Sequence, residues 1–569
     1  MQTSQNLQEN PLNPPSAENT ASGTAAPASA SNQGAGRIAQ PALYSGAPLR
    51  RPWAIIAVAF GIALLTDLAT YNHQGGTQWA LFVNLALLGG LLSALIEKKR
   101  VPWASYLLMV LTSLSSLLTL FRAETFTTLA LGLFSATGLA LLAASLLSGE
   151  WHRFRLRELV VQSVLLLPSI FIGLPRALRD RPRRAEGGER RALPAVLRGV
   201  LIALPLLLIF GALFASADTI FADQLQGLAA FFGAFNLGDG VAQAFLILMI
   251  TWFLTGMYWH ALTQAGGQPA LEPDQPLMSP LLGFTESVVV LALLNALFLA
   301  FVIIQFRYFF AGAAAISVEG FTYAEYARRG FFELLAVALL AGGVFWLLSG
   351  TTRREKAGQK VWFSTLGIIL LMQVGVVLLS AFQRLSLYEN AYGFTAERLS
   401  AHIFMIFLAV VLVLLAVLEL TGQMKRLALV LVLALFAFGV TLAAVNVDAQ
   451  VAQRNLSLAA QPGGRFDPGY LIYGVGEDAT EALYAGFDAG VLSPSRQEQL
   501  GLVLACRAQN FSAWQAGASF WSWTATRARA AQAIASHRSE LLPYQRQLAM
   551  NGNQINLEGA VYYCMGGVD

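Results

Sequence analysis

Two apolar runs decide the fold: residues 399–419, LSAHIFMIFLAVVLVLLAVLE, and residues 427–446, LALVLVLALFAFGVTLAAVN. Each has about the length that crosses the hydrocarbon core of a bilayer as a single helix. The short connection between them carries Lys425 and Arg426, and basic residues in short loops mark the cytoplasmic side. Working outward, comparable runs occupy 53–71, 77–96, 102–121, 125–148, 195–216, 241–262, 283–306, 331–350 and 361–382. The reading is all-α: a polytopic helical membrane bundle of about 11 spans, residues 51–446, followed by a polar segment, residues 447–569. Composition agrees. Only 12% of residues are charged and 56% are hydrophobic, whereas a soluble domain carries about 25% charge. A β-barrel would show short alternating segments instead. The net charge of +4 is spread between apolar runs, so it gives no reason to expect a nucleic-acid partner.

Residues 1–50 are rich in Ser, Ala, Asn, Gln, Pro and Gly, a composition that cannot bury enough surface to fold. They are expected to be a disordered cytoplasmic tail. With that end inside, the inner loops hold Lys98, Lys99 and Arg100, then Arg353, Arg354, Lys356 and Lys360. The run at 159–174 is short and contains Pro168, and an Arg-rich block from Arg176 to Arg198 follows it. If the run crossed, that block would lie outside. Residues 159–198 are therefore read as a re-entrant or interfacial segment and a basic cytoplasmic loop. An odd number of spans then sends the C-terminus outside. The chain has two cysteines, Cys506 and Cys564, both in the polar segment. A disulfide there implies an oxidising compartment; two unpaired thiols in a cytoplasmic domain is the other reading. Apolar residues recur at helical spacing through this segment, which predicts a small helical extracytoplasmic domain. Its aromatic stripe, Phe511, Trp514, Phe520, Trp521 and Trp523, is expected to form the core, with Arg527 and Arg529 in solvent.

Three stretches carry a family resemblance: FRYFF from Phe306 with TYAEYARRGFFE from Thr322; LYENAYGFT from Leu387 with Arg398; and, in the polar segment, Asn446–Asp448, FDPGYL from Phe466 and WSWTATRAR from Trp521. Together they resemble bacterial multi-pass membrane proteins catalogued as domain of unknown function 4173, with 4153 as a sister family, over residues 195–535. The resemblance implies the bacterial inner membrane and no particular activity.

Signatures of soluble enzymes are absent: no Walker loop, no H-E-x-x-H, no G-x-S-x-G. The five histidines are scattered, so neither a metal nor a cofactor is expected. Ionisable residues beside the spans say more, because charge in lipid is costly. Arg307, Tyr308, Arg328, Glu333, Arg384, Tyr388, Glu389, Arg398 and His402 are expected to lie at the outer level, where arginine forks suit phosphate or carboxylate. They form the candidate ligand site, for an anionic lipid headgroup or a soluble anion. Structural salt bridges and aromatic anchoring are the competing reading. Glu325, Arg329 and Glu333 follow at helical spacing as a self-neutralising ladder. Glu286 and Glu419 are expected at the inner interface, and Ser216 or Asp218 as a helix cap. The expected function is a non-enzymatic sensor, scaffold or assembly partner embedded in the bilayer. The alternatives are a transporter or permease, and an intramembrane enzyme acting on a lipid-linked substrate.

Overall fold

The computed structural model describes residues 48–70, 77–179, five positions between 210 and 224, and 238–263, 282–316, 331–518, 520–557 and 559–564. Among the described residues the first eleven α-helices are α1 Pro52–Thr70, α2 Gln78–Ile96, α3 Trp103–Leu118, α4 Thr125–Ser145, α5 Leu156–Arg179, α6 Gly238–Thr263, α7 Phe284–Ile316, α8 Phe331–Thr351, α9 Ala357–Tyr392, α10 Ala396–Leu420 and α11 Leu427–Val445. All eleven are long and apolar enough to cross a membrane. Most keep large apolar side chains on their outer faces, such as Leu88, Leu129, Leu293 and Val413. Outward-facing apolar residues are what a lipid solvent selects. The expected tail and the ladder residues Glu325 and Arg329 lie outside the described residues.

The ends of the bundle can be followed through its contacts. The backbone N–H groups of Arg50 and Arg51 donate to the Glu97 carboxylate (2.9 and 2.8 Å), so the start of α1 and the end of α2 share one end. Lys99 donates to the Leu262 carbonyl, which brings the end of α6 there too. Ser105 donates to the Leu146 carbonyl (2.9 Å), adding the end of α4. At the opposite end, Arg122, just after α3, donates to the Ala443 carbonyl near the end of α11. The polar domain that follows α11 therefore leaves from the end opposite to Arg50.

Between α4 and α6 the chain makes one net crossing. The segment expected to be re-entrant, 159–174, belongs to α5, a continuous 24-residue helix that includes Pro168 and Pro175. Proline does not force a stop in lipid when neighbouring helices support the turn. The neighbour is α6. A Cβ on Gly173 would lie 2.6 Å from the Gly256 Cα, and a Cβ on Gly256 would lie 2.5 Å from the Ile170 carbonyl oxygen. Only glycine permits that approach. Ser169 and His260 meet beside it, Oγ to Nδ1 2.8 Å. The expected span 195–216 lies outside the described residues, apart from Phe210 and Phe214. Further along, Asp218 accepts from the Phe221 N–H (3.1 Å), a capping geometry.

The C-terminal domain starts without a break. Asn446, at φ 53°, turns α11 into α12 Val447–Ala459 and accepts from the Ala449 N–H. Then come a π-helical turn Tyr470–Gly474, α13 Thr480–Ala489, α14 Pro494–Ala516, α15 Ala525–Ser536 and α16 Arg538–Met550. The core is aliphatic: Val451, Leu471, Leu483, Leu500 and Val503 are all buried. The aromatic stripe is not this core, because Phe511, Trp514 and Trp521 are half-buried and Trp523 is exposed. A hairpin, β1 Gln554–Leu557 paired antiparallel with β2 Ala560–Tyr563, ends the described chain. No strand was expected; two four-residue strands leave too short an alternation to stand out.

Cys506 and Cys564, both buried, are joined with Cα atoms 5.3 Å apart, tying the hairpin to α14. Their separation of 58 residues gives a chain-entropy contribution of about 4 kcal/mol. Reduction, or a C506A/C564A double substitution, should lower the domain's melting temperature by several degrees. An unchanged melt would show that the aliphatic core alone holds it.

Candidate functional site

Helices α9 and α10 form a hairpin closed by Gly393 at φ 87°, where a side chain would be strained. Thr395 caps α10 by accepting from the Arg398 N–H. The C-terminal domain grips this tip. Asn455 of α12 bonds both the N–H and the carbonyl of Phe394 (2.8 Å each), and the Tyr470 hydroxyl accepts from the Ala396 N–H (2.9 Å).

The hairpin gathers five of the expected site residues. Glu389 and His402 are buried and face each other, Oε2 to Nδ1 3.3 Å. His402 Nε2 lies 3.2 Å from Ser386 Oγ and 3.3 Å from the Phe382 carbonyl. The acid–histidine–serine sequence resembles a nucleophile triad, but the hydrogens argue otherwise. Ser386 donates to the Phe382 carbonyl (3.0 Å), one turn back. Nε2 then faces two oxygens and is assigned a hydrogen, so it is no base for Ser386. The arginines are engaged as well. Arg398 donates to the Gly393 carbonyl (2.6 Å) and covers the Tyr388 ring at 4.4 Å. Arg384 donates to Gln305 (3.0 Å), which also accepts from Ser380. Glu333 is exposed in the first turn of α8. The side chains of Arg307 and Tyr308, and all of Arg328, lie outside the described residues. Glu419, expected at the interface, sits one residue from the end of α10. It is buried, and accepts from Arg354, Ser349 and Ser364.

A second rim site went unseen in the sequence. Asp478, buried just before α13, accepts from the N–H groups of Ala123 (2.5 Å) and Glu124 (3.1 Å) and from the Thr526 hydroxyl (2.9 Å). Arg122 lies 3.7 Å from its carboxylate. Glu124 in turn caps α4 through the N–H groups of Phe126 and Thr127. On the other flank, Asp448 accepts from the Gly476 N–H (2.8 Å), and burial pushes its carboxyl up to about 7. Thr77 closes the seam by donating twice to the Trp521 carbonyl. Four segments distant in sequence thus lock the C-terminal domain onto the bundle.

Beside this seam opens a cleft of 740 Å³. One wall is the N-terminal half of α4, with Leu129, Gly132, Leu133 and Ala136; Trp79 and Thr119 line it as well. Arg122, Arg527 and Glu477 form its polar part. Arg527, expected in solvent, instead lies over the Trp514 ring at 4.3 Å and donates to the Ser522 carbonyl. Leu129 and Leu133 are 65% and 60% exposed, so an apolar surface runs from membrane depth up to two guanidinium groups.

Tertiary structure also brings Asp488, His537 and Glu540 together, their ligand-capable atoms within 4.8 Å of one another. Burial opposes the charge on His537, but its bonds to the Ala533 carbonyl and to Asp488 raise its pKa overall. That favours a surface ion pair, His537 Nε2 to Asp488 3.1 Å, over a neutral metal ligand.

No curated protein and no solved structure matches the chain. A family profile, described as domain of unknown function DUF4153, matches residues 107–486. Of the two sister families named above, the match is to 4153, and its span begins earlier, within α3. It covers most of the bundle, the α9–α10 hairpin, Asp448 and Asp478, and on that match the chain belongs to the DUF4153 family.

Proposed function

We propose that this is a non-enzymatic membrane protein that holds an anionic lipid by its headgroup in the cleft beside the seam. The cleft itself carries the reading. Its wall at membrane depth suits an acyl chain, and Arg122 and Arg527 above it suit a phosphate. Lipid reaches it sideways along α4, without leaving the bilayer. Arg122 and Arg527 are held by Asp478 and the Ser522 carbonyl much as the hairpin arginines are held by their own acceptors, so it is the apolar wall beside the guanidinium groups that favours the cleft as the ligand site.

The orientation belongs to the same proposal. The N-terminal end lies in the cytoplasm and the C-terminal domain outside the inner membrane. The basic inner loops, the paired cysteines and the departure of the two ends from opposite faces of the bundle support it. A C-terminal alkaline phosphatase fusion should be active and a C-terminal fluorescent-protein fusion dark; the reverse pattern overturns the orientation.

For the cleft, native mass spectrometry in nanodiscs containing phosphatidylglycerol, cardiolipin and phosphatidylethanolamine is the test. Anionic lipid should be retained over the zwitterionic lipid. Gly132→Leu fills the cleft where only Trp79 lies near the added carbon, at 3.8 Å. It should reduce retention about tenfold, roughly 1.4 kcal/mol. Arg527→Gln should remove the preference for anionic lipid. Retention unaltered by both substitutions sinks the proposal, and so does equal binding of inorganic phosphate, which needs no apolar wall.

A further inference from the structure

A slot of 330 Å³ lies between α8, α10 and α11, and every described residue that lines it is aliphatic, aromatic or glycine. Its lining runs from Leu427 to Phe438 on α11 and from Phe404 to Leu415 on α10. At the rise of an α-helix that is a length of about 16 Å. The hydrocarbon core of a bilayer is about 30 Å thick, so the slot has the depth of one leaflet. Two glycines of α8 shape it. A Cβ on Gly342 would lie 3.2 Å from the Leu412 side chain, whereas a Cβ on Gly343 would meet nothing within 4 Å. The slot is open along its side, where Gly343 and Leu339 are exposed and Leu431 and Leu435 half-buried.

One mouth of the slot is basic. Leu427 lines it at the start of α11, the end of the bundle that also holds Arg50 and Glu97, and Leu156 lines it at the start of α5. Arg426 directly precedes Leu427, and Arg155 directly precedes Leu156. The turn Met424–Arg426 packs against the turn Glu150–Arg153. Arg153, Lys425 and Arg426 are all exposed. Arg153 lies 3.9 Å from Glu150, the acid on these two turns. The side chains of Lys425 and Arg426 have no partner among the described residues.

We infer that the slot holds one acyl chain of an anionic phospholipid from the leaflet on the Arg50 side, with the lipid phosphate among Lys425, Arg426 and Arg153. The chain is what the surroundings supply, because the slot opens sideways at membrane depth and an apolar void left empty forfeits the contacts of its lining. The charge of the headgroup follows from the mouth, since cations at a membrane surface attract anionic lipid. A basic loop alone orients a bundle and holds no particular lipid. Here the apolar slot begins at the residue after Arg426, so one molecule reaches both. The cleft beside the seam lies at the opposite end of the bundle, so the two sites are separate.

The test uses the full chain in phosphatidylcholine nanodiscs. The probe is phosphatidylglycerol with a photoactivatable diazirine on one acyl chain; phosphatidylcholine with the same group is the control. Labelled peptides are mapped by mass spectrometry after irradiation. The anionic probe should label α8 around Gly343 and α11 around Leu431 several times more strongly than α7 around the exposed Leu293, and the zwitterionic probe should not. Gly343→Leu fills the slot with no atom in the way of its first carbon. It should lower the α8 and α11 label about tenfold and leave the α7 label unchanged. A Lys425→Gln/Arg426→Gln double substitution leaves the slot open. It should bring the anionic probe down to the level of the zwitterionic one at an unchanged melting temperature. Both side chains are exposed, so this variant keeps the test decisive should Gly343→Leu fold poorly. Label spread evenly over α7, α8 and α11 would mean ordinary boundary lipid. No label on α8 and α11 from either probe would mean that protein closes the slot, from this chain or a second copy. Equal label from the two probes would mean that the mouth selects nothing. Each of these results overturns the inference. Gly132→Leu should leave the label as in the wild type, so the two lipid proposals fail separately.

Discussion

Asp478→Ala is expected to destabilise the protein by about 3–5 kcal/mol and to free the C-terminal domain from the bundle. The magnitude is that of breaking a buried ion pair from one side. Asp478 is 5% exposed and the Arg122 side chain only 14% exposed, so the orphaned guanidinium stays in a low-dielectric seam. The N–H groups of Ala123 and Glu124 lose their acceptor at the same time. Glu124 then no longer sits where it caps α4, so a membrane helix loses its start as well. Asp478→Asn retains an acceptor and should cost about half as much. The informative comparison is a double-mutant cycle with Arg122→Ala, read by denaturant titration and by protease release of the C-terminal domain. If the buried charge dominates, the double substitution costs clearly less than the sum of the singles. Additive losses would assign the effect to the two N–H groups instead. An Asp478→Ala protein with unchanged stability and an uncleaved domain would show that the seam is held elsewhere.

What the sequence could reveal follows from the range of each interaction. A membrane helix is specified by its own residues against a uniform solvent, so the run from Leu427 to Val445 declares itself without any knowledge of its neighbours. The same locality explains the helical reading of 480–536. The re-entrant reading of 159–174 turned on the Arg-rich block that follows it, a charge argument, whereas the contact of Gly173 with Gly256 supports a continuous helix from outside its own sequence. The seam was invisible for a different reason. Asp478 meets residues some 350 positions away at Ala123 and 48 away at Thr526, and no local pattern encodes such pairings. Arg527 was assigned to solvent on composition, but Trp514, on the preceding helix, gives its guanidinium a flat surface to lie on. The expected outer site shows both limits. The level of Arg384, Glu389, Arg398 and His402 on the hairpin was readable, while the acceptors that occupy them, Gln305 and the Gly393 and Phe382 carbonyls, were not.

Asp448 should make the stability of this domain fall as pH rises from about 4 toward 7. Its side chain is 2% exposed. Burial pushes its pKa from 3.8 to about 7; Glu124 and Asp478 add to the rise, while the Gly476 N–H and Arg507 oppose it. The sign follows from proton counting. Between the unfolded and folded pKa values the folded state holds a proton that the unfolded chain has released. Raising the pH across that window therefore favours unfolding. From pH 5 to pH 7 about two units of the window are traversed, worth roughly 2–3 kcal/mol at 1.36 kcal/mol per unit. Above pH 7 this contribution is flat. His537, whose folded pKa is also raised, loses stabilisation over an overlapping range, so the wild-type curve alone does not isolate Asp448. Asp448→Asn does: the amide oxygen still accepts from Gly476, and nothing remains to ionise. Denaturation at pH 5, 6, 7 and 8 should give wild-type and Asp448→Asn curves that diverge upward through the window, with the variant the more stable at pH 8. Parallel curves would mean that Asp448 stays ionised in the fold, compensated by Arg507. Divergence would mean that the C-terminal domain itself tightens on mild acidification, through a carboxyl group that the Gly476 backbone holds in place in either protonation state.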